Sequence, residues 1–274
     1  AASQLNFIGK RAAMLGLPIY LLIDEYDNFT NTILSSEGNN VYRALTHDSG
    51  FYRGFFNIVK AITTGPDAPV KRMFITGVSP VTLDDVTSGF NIGTNITTNE
   101  QFNSMVGFSE SELHEMLSYY QSEGMLADSI DDIVRMMKPW YDNYCFAKEC
   151  IGQTMYNSDM VLYFLNNYLQ RKRPPSEMVD RNIRTDYSKL RYFIRIDRMQ
   201  EEGCSVITKL IDTGEVNGNV IKDSFPAENL ADPGNFTSLL YYFGLLTYDR
   251  MEYGETIMKV PNLAVREQIY SYLV

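Results

Sequence analysis

The run Ile19-Tyr20-Leu21-Leu22-Ile23, followed at once by Asp24-Glu25, constrains this chain more than any other feature. Five consecutive apolar residues between Pro18 and an acidic pair are too few for a core helix. They fit a strand buried on both faces of a parallel sheet. Such a strand delivers its last residues to the carboxyl edge of the sheet, where open α/β folds place ligands. Two carboxylates there have the pattern of a Walker B element. Asp24 would hold Mg²⁺ through water, because this hard ion prefers oxygen and keeps several of its waters. Glu25 would orient or deprotonate a water attacking a γ-phosphate. The same pattern also arises as a buried strand followed by an acidic turn.

A second run, residues 72–76, reads as another buried strand and ends in Thr76-Gly77-Val78-Ser79. In NTPases of the AAA kind, the strand after Walker B presents a polar sensor residue beside the γ-phosphate. Thr76 or Ser79 could take that part; either hydroxyl could equally cap a turn. Around the two strands, Leu5, Ile8, Ala12 and Leu15 share a helix face that Gly16-Leu17-Pro18 stops. Residues 35–40 are polar and read as loop. Phe55, Ile58, Val59 and Ile62 line a further helix, and residues 65–69 form a turn. Strand, helix, strand in this order predicts an α/β crossover with a parallel sheet.

Beyond Val78 the texture changes. Residues 82–103 look irregular. Ser109-Glu110-Ser111-Glu112 is a capping box that opens a helix. Further helices are expected over residues 130–137, 158–170, 187–199 and 236–243. The tail reads strand (245–248), turn at Tyr253-Gly254, strand (256–260) and helix (264–273), an order that resembles a winged-helix end piece. A length of 274 residues suits about two packed units, at roughly 150 residues each. They are expected to be residues 1–105, the C-terminal half of an α/β NTPase core, and 106–274, a helical lid with a winged-helix-like module.

LIDEYD (22–27), FITGVSPVT (74–82), GFSESEL (107–113), WYDNYCF (140–146), YNSDMVLYFL (156–165), FGLLT (243–247) and VPNLAVRE (260–267) together resemble the bacterial AAA-ATPase-like family. The resemblance implies a P-loop NTPase fold that binds and hydrolyses ATP with Mg²⁺ to control an attached effector or partner. Many members carry a PD-(D/E)XK nuclease-like domain downstream. It also implies roles for Asp24 at the metal and Glu25 at the water, with Thr76 or Ser79 as sensor and Asp27 as a further cofactor contact. The pattern departs from the family in two places. No G-x-x-x-x-G-K-[ST] or RFGKS loop occurs, so the phosphate cradle is missing and a fragment of a longer protein is expected. The family's WYDGYRF is WYDNYCF here, with Asn143 for Gly and Cys145 for Arg. Asn tolerates a positive φ, but loss of the Arg removes a phosphate or carboxylate contact. The aromatics Trp140, Tyr141, Tyr144 and Phe146 then read as core packing.

Charge limits the partners. The net charge is −10 and the pI about 4.8, against a surface that coats nucleic acid or anionic membrane. Nine basic residues against four acids nevertheless lie between Arg171 and Arg198, and Arg191, Arg195 and Arg198 share one helix face. Nucleic acid is a less favoured partner than ATP or a protein. Two other functions stay open: a nucleotide-independent interaction scaffold, and a DNA-binding regulator acting through the basic helix and wing. No run approaches 18 apolar residues, so no membrane partner is expected. Three cysteines without a CxxC pair and two isolated histidines, His47 and His114, exclude a disulfide scaffold and the usual zinc sets. A reducing cytoplasm is the expected setting.

Overall fold

The apolar run after Pro18 does form a strand. In the computed structural model, which describes residues 2–81, 93–180, 194, 195, 197, 205–218 and 220–273, helix α1 (Ala2–Leu15) leads into β1 (Ile19–Ile23). Then come α2 (Asn28–Ser36), α3 (Asn39–Thr46), α4 (Phe51–Thr63) and β2 (Val70–Ile75). Helices α5 (Glu110–Ser122), α6 (Ile130–Tyr141), α7 (Ser158–Arg171) and α8 (Val206–Thr213) follow, with β3 (Glu215–Asn217) and α9 (Pro233–Tyr242). The chain closes on β4 (Thr247–Glu252), β5 (Glu255–Lys259) and α10 (Leu263–Leu273). Two compact units result, each discontinuous in sequence. One combines 1–94, 188–201 and 220–243, and the other 95–187, 202–219 and 244–274.

In the first unit β1 and β2 pair in parallel, with Leu21 opposite Met73, Leu22 opposite Phe74 and Ile23 opposite Ile75. Helix α4 connects them and packs its buried Phe56, Val59 and Ile62 inward. Expectation and structure part at β1. The strand was expected to be covered on both faces, yet Tyr20 and Leu22 are 70% and 78% exposed while Ile19, Leu21 and Ile23 are half-buried. The alternation follows from the strand's period of two, because the described helices cover one face only. Phe74 on β2 is exposed beside Leu22.

Residues 35–40 are a second correction. Helices α2 and α3 leave only Glu37-Gly38 between them, with Gly38 turning at φ 82. The inward face of α2 includes Thr30 and Asn31 beside Leu34, so polar residues hide the helical period. Within the irregular stretch expected over 82–103, residues 82–92 lie outside the described residues. So do most residues of the helix expected over 187–199, including Arg191 and Arg198.

The second unit is built on α5, α6 and α7. Leu113, Leu117, Ile133, Met137, Tyr141, Phe164 and Tyr168 are fully buried where these helices meet. The capping box at the start of α5 is present: Glu112 N–H donates to Ser109 Oγ at 3.2 Å and Ser109 N–H to Glu112 Oε2 at 2.8 Å. Buried tyrosines keep their hydroxyls satisfied, as the desolvation cost requires. Tyr141 donates to the Met178 carbonyl at 2.7 Å, and Tyr168 to Asp128 Oδ2 at 2.5 Å. Strands β3, β5 and β4 form an antiparallel sheet in that order. Arg250 on β4 reaches both carboxylate oxygens of Glu215 on β3 at 2.8 Å.

The WYDNYCF segment packs into this unit, with Tyr141 fully buried and the rings of Tyr144 and Phe146 stacked 6.2 Å apart. Asn143 takes φ 78, the left-handed turn that a Gly would otherwise supply, and its N–H reaches Asp142 Oδ1 at 2.6 Å. Cys145 and Cys150 are free and buried, and burial pushes the Cys145 thiol up to about 11. Asn262 fixes this segment to the C-terminal helix. Its Nδ2 donates to the Asp142 carbonyl at 3.0 Å, and its Oδ1 caps α10 by accepting from Val265 N–H at 3.1 Å. Asn262→Ala should therefore lower stability by about 1–3 kcal/mol. Asn262→Ser, which restores a capping oxygen, should recover part of that loss. Urea unfolding midpoints check this, and an unchanged midpoint for the Ala variant would show that the interlock contributes nothing.

Candidate functional site

The parallel pairing of β1 and β2 continues past their ends. Thr76 N–H donates to the Ile23 carbonyl at 2.8 Å, and Tyr26 N–H to the Thr76 carbonyl at 3.0 Å. The acidic turn after β1 is thereby laid against the turn after β2. Asp24 and Glu25 are exposed at this carboxyl edge. The Thr76 hydroxyl donates to Asp24 Oδ1 and accepts from Glu25 N–H at 3.3 Å. Glu25 stands at φ 49, a left-handed conformation that a non-glycine residue holds at some cost. Its carboxylate accepts from Asn28 Nδ2 at 2.9 Å, at the start of α2.

Asp27 has a different environment. It is 2% exposed, and its oxygens accept from Val78 N–H at 3.1 Å, Ser79 N–H at 2.5 Å and Asn31 Nδ2 at 2.6 Å. One carboxylate thus grips the turn after β2 from the turn after β1. Burial is the largest influence on this carboxyl and raises it above the ordinary 3.8, with the amide and Asn31 bonds pulling the other way. The Tyr26 hydroxyl donates to the Ser79 carbonyl at 2.5 Å, a second tie between the same turns. Burial, then the nearby Asp27, raises the Tyr26 phenol, and the same two causes push Tyr52 up to about 12. Gly77 makes this closeness feasible. A Cβ there would lie 2.2 Å from the Tyr26 ring and 2.6 Å from Asp27 Oδ1.

Of the sequence-derived candidates, Asp24, Glu25 and Thr76 come together at the exposed edge. Ser79 is 2% exposed and contributes its backbone amide and carbonyl, while its hydroxyl faces Val81 N–H at 3.4 Å. Of the two hydroxyls considered for the sensor, Thr76 is the one bonded to the acidic pair. Asp27 offers no exposed oxygen to a cofactor. Sequence reasoning missed Tyr26 and Asn31, although Tyr26 stands inside a strand-end segment already singled out. Asn31 Oδ1 is buried without a hydrogen-bond partner.

Among the described residues, no group of three or more His, Cys, Asp or Glu is placed to hold a metal ion. Asp24 and Glu25 fit Mg²⁺ in the manner usual for this ion, one or two carboxylates with waters and phosphate oxygens completing the shell.

The buried carboxyl gives a pH test. With its folded pKa raised, Asp27 holds a proton more readily folded than unfolded. Its own contribution to stability is therefore full below the unfolded value and is lost as pH rises through the folded one. Asp27→Asn should destabilise by about 1–3 kcal/mol at low pH, because the protonated acid still accepts on both oxygens, whereas the amide nitrogen accepts nothing and turns N–H groups toward the Val78 and Ser79 amides. The gap between wild type and variant should narrow as pH rises from the ordinary 3.8 through the raised folded value, because the amide does not ionise. Urea titrations of both proteins across this range measure it. A gap that widens with pH would reverse the sign assigned to Asp27.

Residues 1–87, which hold β1, β2 and both strand-end turns, match the model of the family AAA-ATPase_like, described as "Predicted AAA-ATPase". No curated protein and no solved structure matches the chain. Over those residues the chain is similar to that AAA-ATPase-like family.

Proposed function

We propose that this chain carries the Walker B and sensor half of an AAA-like ATPase core whose parent protein binds and hydrolyses ATP with Mg²⁺. The observation that carries this reading is the Thr76 hydroxyl bonded to the Asp24 carboxylate, with Glu25 adjacent, at the carboxyl edge of a parallel strand pair. Two acids and a hydroxyl on neighbouring strand ends are what phosphoryl transfer needs from this half of a site. When bound, Mg²⁺ neutralises charge on the phosphate oxygens. Asp24 would hold the ion's waters, Glu25 would orient the attacking water and take its proton, and Thr76 fixes the Asp24 carboxylate. Backbone amides for the phosphates would come from chain outside these 274 residues, since no P-loop motif lies within them. The exposed apolar face of Tyr20, Leu22 and Phe74 is compatible with a further layer of such a core.

The second unit would act as helical lid and winged-helix-like module, a reading supported by the β4–β5 hairpin followed by α10. It would couple the nucleotide cycle to an effector, either a nuclease-like domain or a protein partner. A cytoplasmic setting goes with this reading. No helix among the described residues is long and apolar enough to cross a membrane. The alternatives are a scaffold with an inactive core and a DNA-binding regulator. The second depends on a basic helix of which Arg195 is described and Arg191 and Arg198 are not.

In the full-length protein, Glu25→Gln should keep Mg²⁺–ATP binding and lower turnover about 100-fold or more, because a neutral amide cannot take the proton. Asp24→Asn should weaken the metal-dependent binding itself. ATPase rates at saturating nucleotide, together with equilibrium binding, separate the two effects. Equal rates for wild type and Glu25→Gln would remove Glu25 from the chemistry, and no hydrolysis by the wild type with any partner would favour the scaffold. The 274-residue chain alone should show almost no change in melting midpoint with millimolar ATP and Mg²⁺, because stabilisation requires binding to the folded state. A shift of several degrees would overturn the assignment of the phosphate cradle to another segment.

A further inference from the structure

A groove of about 510 Å³ runs between α8, β5 and α10 in the second unit, well away from the acidic turn in sequence and independent of the ATPase reading. Its volume lies within the roughly 300–1,000 Å³ typical of ligand sites. Leu210 and Ile269 are buried beneath it, whereas Leu263 and Tyr270 are 37% and 43% exposed along it. The groove is thus apolar and open to solvent.

Its charges are unequally matched. Glu215 is held by Arg250 through both oxygens, and Lys259 Nζ lies 2.5 Å from Asp249. Arg266 differs. Its guanidinium lies over the Tyr270 ring, 5.8 Å from the centroid, and no carboxylate pairs with it among the described residues. A guanidinium stacked on an aromatic ring keeps its edge N–H groups free for a planar, two-oxygen acceptor. Asp212, at the other end of α8's last turn, is exposed and would repel a second acid.

We propose that this groove docks a peptide segment of a partner protein, with an apolar side chain seated over Leu210 and Ile269 and one neighbouring carboxylate received by Arg266. The complementarity decides the chemistry: an apolar floor, one unmatched cation already oriented by stacking, and the remaining basic residue internally paired. Arg266 belongs to the VPNLAVRE segment, which the site at the acidic turn does not use.

The test uses the whole 274-residue chain with labelled isoleucine and leucine methyl groups, titrated with the acetylated and amidated peptide Gly-Glu-Leu-Leu-Gly-Gly and its Gln counterpart. The Glu peptide should shift the methyl signals of Ile211, Leu263 and Ile269 to saturation. Replacing Glu by Gln in the peptide, or Arg266→Gln in the protein, should each weaken binding about tenfold, and the two losses should not add. Leu263→Ser, at a partly exposed position, should weaken binding while the protein remains folded at the titration temperature. Equal affinity for the two peptides would overturn the role of Arg266. Shifts confined to other methyls, or none at millimolar peptide, would overturn the groove as the docking site.

Discussion

Burying a carboxylate costs several kcal/mol unless its lone pairs are met, and the N-terminal unit uses that requirement to hold its two strand ends together. Asp27 follows β1, while the amides of Val78 and Ser79 that satisfy it follow β2. Separating the turns would strip a buried carboxyl of its donors, so they stay together. A two-stranded sheet is marginal by itself, and this clamp with the Tyr26–Ser79 bond closes its open end. The placement of Thr76 beside Asp24 follows from it, because the ladder from Ile23 to Thr76 and Tyr26 keeps its register only while the turns remain opposed.

The second unit meets the same requirement with tyrosine hydroxyls and an asparagine amide. Its core is rich in tyrosine, and each large ring buries apolar area while its hydroxyl needs an acceptor. The Met178 carbonyl and the Asp128 carboxylate fill that need for Tyr141 and Tyr168. Asn262 performs two such tasks with one side chain, capping α10 and meeting the Asp142 carbonyl. The tight WYDN turn and the C-terminal helix are therefore coupled through a single amide. These contacts explain why segments far apart in sequence carry asparagine and aromatic residues without forming a catalytic cluster.

Elements with an apolar period were legible before any coordinates. The runs at β1 and β2, the face of α4 and the Ser109–Glu112 box declare themselves through local spacing, whereas the face expected of α1 is covered only in part, with Ile8 and Leu15 54% and 56% exposed. Helix α2 does not, because Thr30 and Asn31 occupy its inward face. Strand β3 is only three residues long and pairs with β5 some forty positions later, so nothing local marks it. The strand-end acids and the two hydroxyls Thr76 and Ser79 could be named from residue type and position, but not which hydroxyl meets the acids. That Asp27 is a clamp could not, since its partners lie 51 and 52 residues away and meet it through backbone amides, which every residue but proline possesses. The exposure of Tyr20 and Leu22 was equally hidden, because an apolar run reads the same whether one face or both are covered.

Three acids within four positions thus receive different tasks from their surroundings alone. Asp24 and Glu25 project from the turn into solvent, where a divalent ion or a water can approach. Asp27, one helical turn's beginning later, is withdrawn and saturated by donors. A carboxylate so engaged is a poor metal ligand, because every oxygen offered to an ion must first leave an amide that would then be buried without a partner. The left-handed backbone at Glu25 is the joint that separates the two environments: it turns the chain so that one acid faces out while the next but one faces in. The chemistry proposed for the outward pair therefore depends on an inward neighbour that takes no part in it.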